Sequence, residues 1–233
     1  MVQHLASQVA EGRPGQDSPT PLSAIRKRAQ KVSNLWIFDS PKNACRLTVS
    51  GDVAFMHLML LEGTTTLRGY DLIDDPFMVS STNKEGYVRL RHNDGREEWL
   101  IIGRQSKTRS GEPHRQTERH SAVIAKAAAA AVVLHWRSEL ELVGKEVLLD
   151  NWLTLCAIMT RARPYPSYME QEILLGQLKR HGAVQVGDVL AAPNSDKAIM
   201  LAVIARSLQN GIVETDLGKR LFGLHSILKR VTS

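Results

Sequence analysis

A chain of 233 residues with 43% apolar and 23% charged side chains can build one large domain, or one medium and one small. Its formal net charge of +6 points to a polyanionic partner and leaves the fold open. The two cysteines, Cys45 and Cys156, lie far apart and in no CxxC pair, which argues against a disulfide scaffold or structural zinc site and favours a reducing, cytoplasmic setting.

Residues 1–20, MVQHLASQVAEGRPGQDSPT, carry Gly, Pro, Gln and Ser and have no apolar core of a signal peptide, so they read as a disordered leader. The longest apolar run, 127–134, is far short of the ~20 residues that span a bilayer, and no membrane partner is expected. Thr20 and Pro21 form an N-cap and N1 pair opening the helix LSAIRKRAQKVS. Arg26, Lys27, Arg28 and Lys31 give that helix either a solvated face or a phosphate-contacting one.

Short β-like segments follow: LWIF at 35–38, CRLTVS at 45–50, TLRGYDL at 66–72, PFMVS at 76–80, YVRLRH at 87–92 and EEWLIIG at 97–103. Asn93-Asp94-Gly95 joins the last two as a hairpin, because Asp and Gly tolerate the positive φ of tight turns. The stretch DVAFMHLMLLEG at 52–63 is almost wholly apolar and predicts a buried helix. An alanine-rich helix at 117–131, a strand at 132–136 and a helix at 139–160 complete this part. The expectation is a mixed α/β sheet over residues 21–162. ARPYPS, with two prolines, marks a boundary at 162–167.

Residues 163–233 carry a pattern of their own. Helices are expected at 167–181, 185–191 and 195–209, then a strand, IVETDL, and a basic turn of Gly218, Lys219 and Arg220. Three helices, a strand and a basic turn spell a winged helix.

Most catalytic signatures are missing: the sequence holds no GxxxxGK, no HExxH and no GxGxxG after a strand. Cys45 in a strand and Cys156 in an apolar helix read as inert thiols. His92, His114 and His120 lack metal-ligand spacing. Carboxylates are the serious candidates: Asp71, Asp74, Asp75, Asp94, Glu97 and Glu98 fall at strand ends or turns. A magnesium nuclease needs two or three such oxygens converging on one ion. Asp94 is explained by its turn, and consecutive Glu97 and Glu98 face opposite sides of a strand. The 104–119 segment carries Arg104, Lys107, Arg109, Arg115 and Arg119 against Glu112 and Glu118. It can wrap phosphates or simply be solvated. The helix at 195–209 offers few of the Arg, Asn or Gln side chains that read bases. Backbone contact through Lys179, Arg180, Lys219 and Arg220, or docking of a protein, suits the C-terminal unit better.

The order of elements resembles the TnsA-like endonuclease subunits of heteromeric transposases, which join a restriction-endonuclease-like domain to a winged helix. The resemblance runs from Leu35 onward and rests on LLE at 60–62, YVRLRH, EEWLIIGR and VVLHWRSELELVGKEVLLDNWLTL at 132–155. It implies DNA, a transposase subunit and an ATPase regulator as partners. The family's cutting residues are not matched. Its first glutamate falls on Ala54, its aspartate on Leu90, and its Glu-x-Lys on Ile102, Gly103 and Arg104. A permanently protonated guanidinium cannot act as a general base.

The expectation is therefore a DNA-binding, TnsA-like protein without catalytic residues or cofactor. One rival is an active magnesium endonuclease with relocated ligands, for which Asp52, Asp71 and Glu97 or Glu98 would have to converge. The other is a winged-helix regulator of transcription or replication, which requires a polar, exposed 195–209 helix.

Overall fold

The computed structural model describes residues 34–73, 86–103 and 124–231, Lys126 and Ala130 excepted. It is a mixed α/β protein whose mixed sheet is flanked by helices. Strands β1 (Leu35–Ser40) and β2 (Cys45–Ser50) pair as an antiparallel hairpin, from Leu35 opposite Ser50 to Ser40 opposite Cys45. Helix α1 (Asp52–Glu62) starts directly after β2 and buries Phe55, Leu58, Met59 and Leu61. A helix apolar on nearly every side must be covered on nearly every side. Trp36 of the hairpin stacks on Phe55 with ring centroids 4.2 Å apart.

The central sheet runs β3 (Leu67–Ile73), β4 (Gly86–His92), β5 (Glu97–Ile102), β6 (Val133–Arg137), in that order. The first three are antiparallel and β6 joins β5 in parallel. The expected turn at 93–95 closes β4 onto β5: Gly95, at φ 86°, donates its N–H to the His92 carbonyl at 3.1 Å. Alternation gives the sheet two faces. Tyr70, Val88, Leu90, Leu100 and Ile102 pack with α1 in one cluster, and Tyr87 and Ile101 pack on the other face with Leu134 and Trp136. The strand expected at 76–80 lies outside the described residues, as does the helix expected at 22–33. Of the helix expected at 117–131, residues 124–125 and 127–129 are described and helical.

The helix expected over 139–160 is divided. A 3-10 turn, Glu139–Leu142, precedes α2 (Glu146–Arg161), and Gly144 between them takes φ 77°, where a helix cannot continue. Beyond residue 161 come α3 (Tyr168–His181), β7 (Ala183–Gln185), α4 (Val186–Leu190), α5 (Lys197–Gln209), β8 (Val213–Glu214) and β9 (Ile227–Arg230). The strand expected at 212–217 is thus only two residues long. Two further strands, β7 and β9, complete a sheet of order β7-β9-β8. They escaped the sequence reading because three or four residues are too few to show alternation.

Two apolar clusters meet on α2. Its Leu149 belongs to the cluster around α1, whereas Trp152, Leu155, Cys156 and Met159 belong to the C-terminal cluster with Leu174, Leu178, Met200, Ile204 and Leu228. The approach is close where α1 ends. A Cβ on Gly63 would lie 2.2 Å from the Trp152 ring, so only glycine fits there.

Candidate nucleic-acid interface

The three positions that the resemblance assigns to metal ligands all carry hydrocarbon, and the register sets Leu90, opposite Glu98, four residues along the ladder from Ile102, opposite Gly86. Leu90, 5% exposed, and Ile102, 3% exposed, sit on neighbouring strands in the cluster against which Ala54 of α1 packs. No oxygen ligand stands at any of them, so a magnesium ion does not fit there. Arg104 lies outside the described residues. Among the described residues, no group of three His, Cys, Asp or Glu side chains could hold a metal ion.

The relocated carboxylates are separated and engaged elsewhere. Asp52, at the start of α1, accepts hydrogen bonds from Asn34 Nδ2 and Trp36 Nε1, both at 2.8 Å. Asp71 pairs with Arg89 at 3.0 Å and Arg91 at 3.2 Å. Leu90 lies opposite both Tyr70 and Glu98, so Glu98 shares their face of the sheet while Asp71 is on the reverse. Glu97 lies opposite Arg91, a cation standing between it and Asp71 in the ladder. Glu98 meets His92 at 3.3 Å, His135 at 3.6 Å and Arg96 at 3.6 Å. The His92 approach is within ion-pair range but lacks the alignment of a hydrogen bond. Asp94 pairs with Arg96 at 2.7 Å, which keeps its carboxyl below the usual range and ties it to its own turn. Asp74 and Asp75 lie outside the described residues.

The glutamate of the LLE motif, Glu62, is fully buried and fully partnered. One carboxylate oxygen accepts from Ser40 Oγ and from Tyr70 Oη at 2.6 Å; the other accepts from the Lys42 N–H at 3.0 Å and Gln209 Nε2 at 2.9 Å. Four donors meet the four acceptor sites of a carboxylate. They also compensate a negative charge in the last turn of a helix, where the dipole disfavours it. Burial pulls the Lys42 ammonium down, while the Glu62 charge pushes it back up. Its Nζ donates to the carbonyls of Thr64 and Leu67, both at 3.1 Å. The Gln209 bond links the last residue of α5 to the last residue of α1.

Of the expected phosphate contacts, Arg26, Lys27, Arg28, Lys107, Arg109 and Arg115 lie outside the described residues. Lys179 and Arg180 are exposed at the end of α3, and Lys219 and Arg220 are exposed between β8 and β9. Lys219 lies 3.8 Å from Asp216, and Arg180 donates to the Gly176 carbonyl of its own helix at 3.2 Å. The 220 backbone is fixed from α2: Asn151 Nδ2 donates to the Leu217 and Arg220 carbonyls, both at 2.8 Å, and its Oδ1 accepts from the Phe222 N–H at 2.7 Å.

Helix α5 has almost no solvent face. Met200, Ala202, Val203, Ile204, Ala205, Ser207, Leu208 and Gln209 are buried, and only Lys197 and Ala198 are exposed. Its start is capped by Asp196, whose carboxylate accepts from the Ala198 and Ile199 N–H groups at 2.8 and 3.0 Å. Laying it in a major groove would require unpacking its core.

A cationic cleft was missed by the sequence reading. A space of about 420 Å³ opens between the 41–44 turn, the start of β3, the end of α2 and the end of α5. Lys42, Arg68, Arg163 and Arg206 line it, with no carboxylate among its lining residues. The only sequence signal was weak: single arginines in β3, just past α2 and in α5, with nothing to say that those parts meet. No protein-family model matches the chain, and no curated protein matches it significantly.

Proposed function

We propose that the chain is a TnsA-like, DNA-associated transposition protein whose nuclease fold has lost its cutting centre. In this reading residues 21–162 form a degenerate restriction-endonuclease-like domain and residues 163–233 a winged helix. The protein acts in the cytoplasm, binding element ends or bridging a transposase subunit and an ATPase regulator. The observation that carries it is that Ala54, Leu90 and Ile102 are hydrocarbon, packed in or against the apolar cluster around α1. None of the three positions offers an oxygen ligand, and hydrocarbon stands at each. The C-terminal order of helix, strand, two helices and two strands, with the sheet running β7-β9-β8, supports the winged helix. Its buried α5 argues against base readout and for protein docking, for which Leu221, Leu224 and Ile227 stand exposed.

The test is one preparation in two assays. Purified protein should bind duplex DNA with an affinity that falls steeply with salt. With magnesium or manganese it should leave supercoiled and linear DNA uncut, alone or beside its transposase. Cleavage that Asp71→Ala or Glu98→Ala abolishes would overturn this reading in favour of the endonuclease.

A further inference from the structure

We infer that the cleft at the junction of the two apolar clusters is a phosphate site that seats the sugar-phosphate backbone of DNA. The inference rests on the DNA-associated reading above and assigns residues that neither the resemblance nor the charge runs single out. Arg68 and Arg163 are exposed at its rim and Arg206 is half-buried within it. Among the described residues, no carboxylate forms an ion pair with any of the three. Surface arginines normally stand among acids, and three lining one concavity repel one another until an anion enters. Low-dielectric walls focus their field on the opening.

Lys42 does not belong to that set. Its Nζ is held by two carbonyls, and its charge answers Glu62 beneath the floor. Glu62 in turn has its four acceptor sites filled, so no lone pair is left to hold an arginine of the cleft. The arginine fork suits phosphate oxygens, which it can grip two at a time. Asn93 and Asn210 add neutral donors at the edge.

The shape selects among phosphate carriers. No aromatic side chain lines the cleft, so a base has nothing to stack on. It is also open to solvent, with Arg68 and Arg163 both exposed. Such a site follows a backbone and ignores sequence. A free nucleotide would gain only its phosphate contacts there.

The experiment compares the full chain with Arg68→Ala/Arg163→Ala and with the charge-keeping Arg68→Lys/Arg163→Lys, using random-sequence fluorescent duplex over a salt series. Two lost phosphate contacts should reduce the slope of log affinity against log salt by about 1.8. The loss should be equal for every sequence, and the lysine variant should keep the wild-type slope. Both sites are exposed, so urea midpoints should match wild type. A wild-type slope in the alanine variant would overturn the cleft assignment and leave DNA association standing. A lysine variant as weak as the alanine one would overturn it too, because charge would then not be what the cleft supplies. Competition arms with inorganic pyrophosphate and ATP separate the sources of phosphate. Binding of either at lower concentration than duplex would replace the backbone with a small ligand. A wild-type protein that binds no duplex at low salt would remove the DNA-associated reading itself, and this inference with it.

Discussion

At the scale of single residues, Glu62 shows what the fold spends polar groups on. A carboxylate with no exposure stands only where every lone pair is answered, and here Ser40, Tyr70, Lys42 and Gln209 answer them. Glu62→Ala leaves a phenol, a side-chain amide, a hydroxyl and the Lys42 backbone N–H without their acceptor. Each buried donor left unsatisfied costs about 1–3 kcal/mol, against a total stability of about 5–15, so the variant should be poorly folded. Gln209→Ala removes one donor of four and should cost about 1–3 kcal/mol. Urea unfolding midpoints check both; a wild-type midpoint for Glu62→Ala would mean the network contributes nothing. The same cluster sets an alkaline limit. Burial pushes the Cys156 thiol well up, with the Glu62 charge adding and Lys42 opposing, and burial pushes Tyr70 well up too. A group raised on folding holds its proton longer in the native state, so its stabilisation is complete below its unfolded value and is lost as pH climbs toward the folded one. Stability should therefore decline from about pH 8.5, where an ordinary thiol begins to ionise, and further above about pH 10, where tyrosine does. Lys42, pulled down, works the other way and offsets part of the decline below about pH 10.4. Cys156→Ala should flatten the first part of the curve, read as urea midpoint against pH. An unchanged curve would place the alkaline loss elsewhere.

At the scale of elements, α2 and α5 decide how the chain divides. The composition change at 162–167 suggests a C-terminal unit beginning there, yet Trp152, Leu155, Cys156 and Met159 of α2 lie in that unit's core, and Asn151 fixes its 217–222 backbone. A 163–233 fragment would expose the partners of a tryptophan, a leucine and a methionine, and large-to-small losses at such sites cost about 2–5 kcal/mol each. It should be largely unfolded by circular dichroism and urea titration, whereas a 144–233 fragment should unfold cooperatively. Equal cooperativity in both would show that α2 is dispensable. Much of this was legible in the sequence. The hairpin at 93–95, the apolar 52–63 helix and the three C-terminal helices are local patterns, set by turn chemistry and periodicity, and the structure has them where those patterns put them. What stayed hidden is tertiary. Nothing in 146–161 says that one face of a helix serves two cores, nor that Glu62 is reached by Gln209 from 147 residues away. Arg68, Arg163 and Arg206 become a set only when β3, α2 and α5 are brought together.

At the scale of the whole molecule, the net charge of +6 becomes a statement about binding only when it is resolved into surfaces. Two of the candidates can be weighed against each other: the cleft, with Arg68 and Arg163, and the 104–119 segment, with Lys107, Arg109 and Arg115. Counterion release counts phosphates neutralised, about 0.9 of a unit of salt slope for each, whichever residue does the neutralising. Replacing Lys107, Arg109 and Arg115 with alanine should therefore lower the slope by about 2.7. If the cleft and the segment lie on one duplex but on different phosphates, the five-alanine variant should lose about 4.5, the two decrements added. A combined loss no greater than the larger single one would mean that both surfaces reach for the same phosphates, and that one path, not two, crosses the protein. A three-alanine variant with the wild-type slope would return the 104–119 segment to a solvated stretch and leave the cleft as the binding surface. None of these variants should alter preference among sequences, because backbone contacts carry no base information. Anisotropy titrations of one random and one selected duplex across the same salt series read both quantities at once. A hundredfold preference for the selected duplex would require a base-reading surface that buried α5 does not supply, and would promote the regulator.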